Sequence, residues 1–179
     1  RALIDRRQVV AFLAPDVHLI AYPLRHGESL NLVAVAEGAA GEADWQNKIS
    51  NVSLPSAFGL FDRELAQFLM QLRDWTSYPI HVVPPESIWS DEKRVVLIGD
   101  AAHAMTPFAA QGAAMAIEDA AVLATAYAHH KGDPLRTLAS YQVQRRPRIK
   151  AVAKRARANK YAYHTDGVVA LARNTLFAM

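Results

Sequence analysis

Residues 94–120 read RVVLIGDAAHAMTPFAAQGAAMAIEDA, and this stretch decides the fold class. Val95, Val96, Leu97 and Ile98 form an unbroken apolar run, the pattern of a strand covered on both faces, and the run stops at Gly99-Asp100. A loop containing Pro107 follows, then a helix rich in small residues over about residues 112–130, halted near Gly132. Strand, glycine turn and helix make the unit of an open α/β sheet, in which ligands sit beyond the carboxyl ends of the strands. Gly99 lets a ligand approach the backbone, and Asp100 offers a carboxylate that accepts bonds from ligand hydroxyls. Gln111, Gly112 and Ala113 leave N–H groups free at the helix start, where the dipole favours negative charge. On these residues alone a polyol with developing anionic character fits, and so does an ordinary strand-loop-helix turn.

Upstream, VHLIAY at 17–22 places His18, Ile20 and Tyr22 on one strand face and Val17, Leu19 and Ala21 on the other. A second strand-like run over residues 30–37 follows the turn Arg25-His26-Gly27-Glu28, which predicts an antiparallel hairpin. Residues 38–56, rich in Gly, Ala, Ser and Asn, read as a connection. Asp62 caps a predicted helix whose Leu65, Phe68, Leu69, Leu72 and Trp75 form one buried stripe. Residues 79–83 are a short strand candidate closed by Pro84 and Pro85. Downstream, Asp133-Pro134 starts another helix, Pro147 is expected to kink or break it, and a very basic helix follows to about Tyr161. No internal repeat is present.

With 51% hydrophobic and 21% charged residues, the 179-residue chain has the composition of a globular protein, long enough to bury a core. It has no cysteine, which excludes disulfides, thiolate metal sites and cysteine nucleophiles and is compatible with a reducing compartment. No apolar run approaches the roughly 20 residues of a membrane span, because Glu118 and Asp119 interrupt the most apolar helix. The first residues, from Arg1, read as the middle of something, so an internal fragment without a targeting segment is expected. Residues 1–134 carry 10 basic and 16 acidic side chains, and residues 135–179 carry 10 and 1. The basic character therefore belongs to the last quarter alone.

The string at 94–120 closely resembles the second flavin-binding motif of the class A flavoprotein aromatic hydroxylases, the single-component FAD monooxygenases. The matching features are GDAAH at 99–103, Pro107, QG at 111–112 and IEDA at 117–120, with Ala110 where many members have Gly. HLIAYPL at 18–24 and LNLVAV at 30–35 resemble the substrate-domain strands of the salicylate hydroxylase-like branch, which includes 3-hydroxybenzoate and 6-hydroxynicotinate hydroxylases. YQVQRRPR at 141–148, Asn159, YH at 163–164 and ARN at 172–174 resemble its C-terminal helices. The eight glycines contain no G-x-G-x-x-G, the family's pattern for the ADP part of FAD, and the family's upstream Asp-Gly motif near the pyrophosphate is absent too.

The resemblance implies an α/β protein, α+β within this piece: the C-terminal portion of a two-domain FAD-binding monooxygenase. Residues 1–88 would be a partial substrate-binding sheet, 89–131 the last strand and helix of the FAD domain, and 132–179 the basic C-terminal helices. Gly99 and Asp100 would meet the ribityl chain of FAD, and Gln111, Gly112 and Ala113 the pyrimidine edge of the ring. Pro107 would line the ring beside the substrate. His18 and Tyr22 match an H-x-x-x-Y pair that faces the aromatic substrate, where a histidine near neutral pKa removes a phenolic proton. The implied reaction is hydroxylation of a phenolic or heteroaromatic acid by a flavin C4a-hydroperoxide formed from O2 and NAD(P)H, in a cytoplasmic enzyme. Without the missing N-terminal half, the chain alone is expected to bind flavin weakly and to show no turnover.

Three other readings compete. The same flavin motif serves hydroxylation or epoxidation of non-aromatic substrates, and a non-catalytic fragment would fold without retaining FAD. A binding module is the third: nine Lys or Arg and no acid between Arg136 and Lys160 could footprint a nucleic acid or an anionic surface. The aromatic interleaving of RNA modules is missing, so a helix pair docked on the acidic remainder is the simpler expectation, with no nucleic acid and no membrane as partners. Of the other conspicuous residues, His103 reads as a structural hydrogen-bonding group, and Glu118 and Asp119 as caps or partners of the basic helices. His129 and His130 diverge at a helix end and make no metal site, and Trp45, Trp75 and Trp89 read as core.

Overall fold

The computed structural model describes residues 4–38, 47–48, 58–72 and 75–177. These fall into two compact units, Arg1–Pro79 with Tyr161–Met179, and Ile80–Lys160.

The first unit is built on the predicted hairpin. Strands β1 (Val10–Ala14), β2 (Val17–Leu24) and β3 (Ser29–Ala36) form an antiparallel sheet in the order β1-β2-β3. His18 lies opposite Leu13 on one side and Val35 on the other, and Tyr22 opposite Asn31. Alternation along β2 buries Val17, Leu19 and Ala21 almost completely. The connection between β2 and β3 is a single 3-10 turn, Arg25–Gly27, in which Gly27 has φ +91 and a Cβ would lie 2.9 Å from the Arg6 carbonyl oxygen. Only glycine suits that position.

Helix α1 (Arg63–Gln71) begins where Asp62 was expected to cap it: the carboxylate accepts from the N–H groups of Glu64 and Leu65 at 3.0 and 3.1 Å. Its Leu65 and Leu69 pack with Leu19 and Phe58 into a core that Phe68, Leu72 and Trp75 border. The short strands β4 (Asn47–Lys48) and β5 (Thr76–Ser77) pair antiparallel, while most of the connection at 38–56, with Trp45, lies outside the described residues. No strand forms at 79–83: Pro79 lacks an N–H, Ile80 and Val82 are exposed, and the Val83 N–H instead donates to the Ala104 carbonyl at 2.8 Å.

The second unit holds helices α2 (Asp100–His103), α3 (Gly112–His129) and most of α4 (Pro134–His164). Trp89, Ala102, Met115, Tyr141, Ile149 and Val152 form its core. The expectation of a strand covered on both faces at 95–98 is corrected. Val96 makes one isolated bridge with Ser90, and Val95, Leu97 and Ile98 are 57%, 41% and 39% exposed. A parallel strand needs neighbours for its ladder, and among the described residues the segment around Trp89 and Ser90 is its sole hydrogen-bonded flank.

Pro147 does not break the helix either, since α4 runs on through it. The lost hydrogen bond costs about 3 kcal/mol in a helix interior, but Pro147 and Val143 lie on the exposed side, where water can serve the orphaned carbonyl. Tyr141, Arg145, Ile149 and Val152 bury the opposite side. Helix α5 (Gly167–Phe177) follows in the first unit, where Arg173 donates to the last-turn carbonyls of Ala162 and Tyr163, each at 3.0 Å.

Candidate functional site

In the second unit the residues singled out from the sequence line one turn and two helix starts. Gly99 has φ +58 and ψ −143, a conformation open essentially to glycine, and a Cβ there would sit 3.2 Å from the Ala116 Cβ. Asp100 opens α2 with its side chain exposed. Pro107 is exposed at the start of a 3-10 turn, Pro107–Ala109, above the buried Phe108. That turn is held from α4 by Asn159, whose Nδ2 donates to the Phe108 carbonyl at 2.9 Å.

Gln111 then occupies the N-cap of α3, no side chain caps the helix, and Gln111 Oε1 is buried with no hydrogen-bond partner among the described residues. A Cβ on Gly112 would meet nothing within 4 Å, and Ala113 is exposed. The result is a row of N–H groups with an orphaned amide oxygen beside it, at the positive end of an 18-residue helix.

Ala110, just before this helix, is left-handed at φ +51 and ψ +31. An L side chain there costs about 1–2 kcal/mol, of which glycine's greater unfolded-state entropy offsets about half. Ala110→Gly is therefore expected to raise stability by about 0.5–1 kcal/mol, read as a higher urea midpoint at unchanged slope.

Beneath the turn lies a buried ionic network. Asp119, fully buried on α3, accepts from the Gly99 N–H at 2.8 Å, from His103 Nε2 at 2.6 Å and from Arg145 Nε at 2.7 Å. Arg145, 3% exposed, also donates to Glu118 at 2.6 Å and to the Met115 carbonyl at 3.2 Å. Arg148 completes the set with 2.9 Å to Glu118, and the guanidiniums of Arg148 and Arg145 hold that carboxyl down to about 2. Burial works against the Asp119 carboxylate, yet the Gly99 N–H, His103 and Arg145 together keep its pKa below the usual range. The structural parts expected for His103, Glu118 and Asp119 are thus in place. The sequence offered Arg145 only as one cation of the YQVQRRPR string, on a helix expected to dock on the acidic remainder, and its burial sets it apart.

In the first unit, His18 on β2 is 3% exposed, and its Nδ1 lies 2.9 Å from Nε2 of His164 in the last turn of α4. His164 Nδ1 lies 3.4 Å from the Glu37 carboxylate, and the Tyr163 ring stands edge-on to His18 at 5.3 Å. Burial first, and His164 second, push the His18 imidazole down to about 4. That corrects the expectation of a histidine near neutral pKa: the ring is neutral at pH 7 and holds an added proton weakly. Tyr22, two repeats of the pleat further along the same face, accepts from Asn31 Nδ2 at 2.7 Å through its hydroxyl oxygen, which leaves its own proton to donate. Neither His164, quoted only within the YH string at 163–164, nor Glu37 was singled out as a site residue, because 146 and 127 residues of separation carry no spacing signal.

Comparison with known proteins adds the family. Residues 67–156 match the model of the FAD binding domain. The chain belongs to the FAD binding domain family. It is 33% identical over 168 residues to 3-hydroxybenzoate 6-hydroxylase of Klebsiella oxytoca, covering 94% of this chain and 42% of that protein. It is 32% identical over 166 residues to 3-hydroxybenzoate 6-hydroxylase 2 of Aquipseudomonas alcaligenes, covering 93% and 52%. A solved salicylate hydroxylase substrate complex superposes with a TM-score of 0.74 at 25% identity, covering 94% and 44%. The chain thus spans about half or less of the length of these relatives, and they bear out both the α/β fold class and the resemblance to class A FAD aromatic hydroxylases.

The residues present suit the family's cofactor. FAD brings hydroxyl donors that an exposed Asp100 carboxylate can accept, a ring edge with both donors and acceptors, and negative charge on reduction. Gln111 Oε1 is an acceptor in want of a donor, and the uncapped N–H groups at the start of α3 stabilise an anion. Among the described residues no group of His, Asp and Glu could hold a metal ion, and no helix is long and apolar enough to cross a membrane.

Proposed function

We propose that the protein hydroxylates a phenolic or heteroaromatic acid with FAD as cofactor and NAD(P)H and O2 as co-substrates. The observation that carries the reading is the buried, unpartnered Oε1 of Gln111 beside the uncapped start of α3, within the sequence range matched to the FAD binding domain. Bound FAD would supply electron transfer from NAD(P)H to oxygen and delivery of one oxygen atom to the aromatic ring. Asp100 would hold a hydroxylated chain of the cofactor, and Gln111, Gly112 and Ala113 the ring edge that becomes anionic. Pro107, rigid and without an N–H, would shape the wall of the pocket without adding a donor.

His18 would accept the phenolic proton, because electrophilic oxygen transfer needs an electron-rich ring, and Tyr22 would donate to a polar group of the substrate. A cytoplasmic setting, where NAD(P)H is available, suits this reading. The full-length protein that carries this chain, loaded with FAD and given NAD(P)H, 18O2 and a panel of hydroxybenzoates, hydroxynicotinates and alkenes, is expected to incorporate one 18O atom into a phenolic or heteroaromatic acid. Label found only in an alkene-derived product, or none with FAD bound, would overturn the substrate class.

A further inference from the structure

Tyr22 of β2 and Asn31 of β3 are direct cross-strand partners, so their side chains leave the same face of the sheet. That face is opposite the one that carries Leu19 into the core with Leu65 and Leu69 of α1. Asn31 Nδ2 and the Tyr22 hydroxyl oxygen are 2.7 Å apart. The amide has two N–H hydrogens and the hydroxyl one O–H hydrogen, and a single hydrogen bond between them uses one of the three. Two donors are therefore left over, whichever group donates to the other. Both side chains are half-buried, and neither has a further hydrogen-bond partner among the described residues. Next along the same face the surface turns apolar: Ile20 lies opposite Ala11 and Val33, and Val33 is 40% exposed. None of the three strands carries an Asp, Glu, Lys or Arg.

We propose that Asn31 and Tyr22 together are the subsite for the carboxylate of the substrate, and that Asn31 sets the preference for aromatic acids over uncharged phenols. This rests on the reading of the protein as a hydroxylase of a phenolic or heteroaromatic acid. A carboxylate has two oxygens that only accept, so it takes both leftover hydrogens, and its charge makes each bond about twice as strong as a neutral one. The ring then lies over Ile20 and Val33, one repeat of the pleat, about 7 Å, from the donor pair. That spacing is close to the length of a single-ring aromatic acid, and apolar side chains are what an aromatic ring buries best against. With no acidic side chain on the three strands, nothing on them repels the anion. The donors are uncharged, so recognition depends on two correctly placed hydrogens and is lost when those hydrogens are removed.

Two measurements on the full-length protein that carries this chain, loaded with FAD, test the subsite. In the first, affinities for 3-hydroxybenzoate, 3-hydroxybenzamide and 3-methylphenol are read from flavin fluorescence. Asn31→Asp keeps the shape and still accepts from Tyr22, but replaces the leftover donors by a negative charge. It is expected to weaken 3-hydroxybenzoate by about 30-fold or more, to leave 3-methylphenol within about threefold and to hold or strengthen 3-hydroxybenzamide. Asn31→Leu, similar in volume and without donors, is expected to narrow the preference for the acid over 3-methylphenol by about tenfold. Equal losses for all three ligands would mean a deformed strand, and unchanged acid binding a bystander; either overturns the subsite. So does an unaltered protein that binds 3-hydroxybenzoate no better than 3-methylphenol. The second measurement follows the side-chain amide of Asn31 by NMR in 15N-asparagine-labelled protein titrated with benzoate, which has the carboxylate and no hydroxyl. A saturable shift with benzoate and none with toluene is expected, and no shift with benzoate overturns the subsite whether or not any compound is hydroxylated. A benzoate shift in a protein that incorporates no 18O supports the subsite and removes the hydroxylase reading alone.

Discussion

Asp119→Ala is expected to destabilise the unit of residues 80–160 by about 3–5 kcal/mol, the largest single effect in the molecule. The size follows from what the substitution strands. The Arg145 guanidinium would stay buried with one carboxylate fewer, and the Gly99 N–H and His103 Nε2 would each lose their acceptor. Glu118→Gln is the control. Its side chain is 35% exposed, so the cost there should stay below about 1 kcal/mol. Urea unfolding separates the two, and a loss at Asp119 no larger than at Glu118 would show that the network contributes little.

The same carboxylate sets an acid limb. Its folded pKa lies below the ordinary aspartate value of 3.8, so its contribution is fully present above that pH and disappears as pH falls through the lower folded value. Glu118, held at about 2, acts in the same direction. Asp119→Asn should therefore flatten the fall in stability below pH 4, measured as urea midpoint against pH.

Gly99→Ala comes second, at about 2–4 kcal/mol. One part is backbone strain at φ +58 and ψ −143, and the other is a methyl forced to 3.2 Å from the Ala116 Cβ. Helix α3 cannot retreat, because Asp119 ties it to the amide of the very residue being changed. Gly112→Ala makes the instructive contrast. Its Cβ enters open space within a helix, so stability should hold or rise by about 0.5–1 kcal/mol. If the start of α3 receives a flavin, that variant should still lose flavin affinity in a fluorescence-quenching titration. A Gly99 variant as stable as the parent would sink the strain argument.

Much of this was legible in the chain itself, where the deciding signals were local. The alternation at 17–22 gave β2, Asp62 gave the start of α1, and the small-residue run closed by Gly132 gave α3, whose end the Gly132 N–H seals on the Tyr127 carbonyl at 2.9 Å. What failed depended on partners far along the chain. The apolar run at 95–98 has the composition of a strand, but composition does not supply a neighbour to pair with. Pro147 carries a local penalty that four buried side chains of α4 outweigh. The site divides the same way: Gly99 and Gln111 announce themselves as site residues by motif, whereas Arg145 and His164, though inside quoted strings, are made particular by where the fold puts them.

The asymmetry of charge along the chain has a final consequence in the electric moment of the molecule. Taken as a string, residues 135–179 are a positive pole and the preceding residues a negative one. Folding turns much of that separation into contacts. Arg145 and Arg148 meet Glu118 and Asp119, Lys150 meets Glu86 at 3.4 Å, Arg136 meets Asp133 at 3.6 Å, and Arg146 lies over the Trp89 ring at 4.4 Å. Opposite charges a few ångströms apart present a short dipole to the solvent, and at physiological ionic strength its field fades within about 8 Å. A pI near 9.3 therefore describes the titration of the chain better than the field a distant molecule would feel near α4.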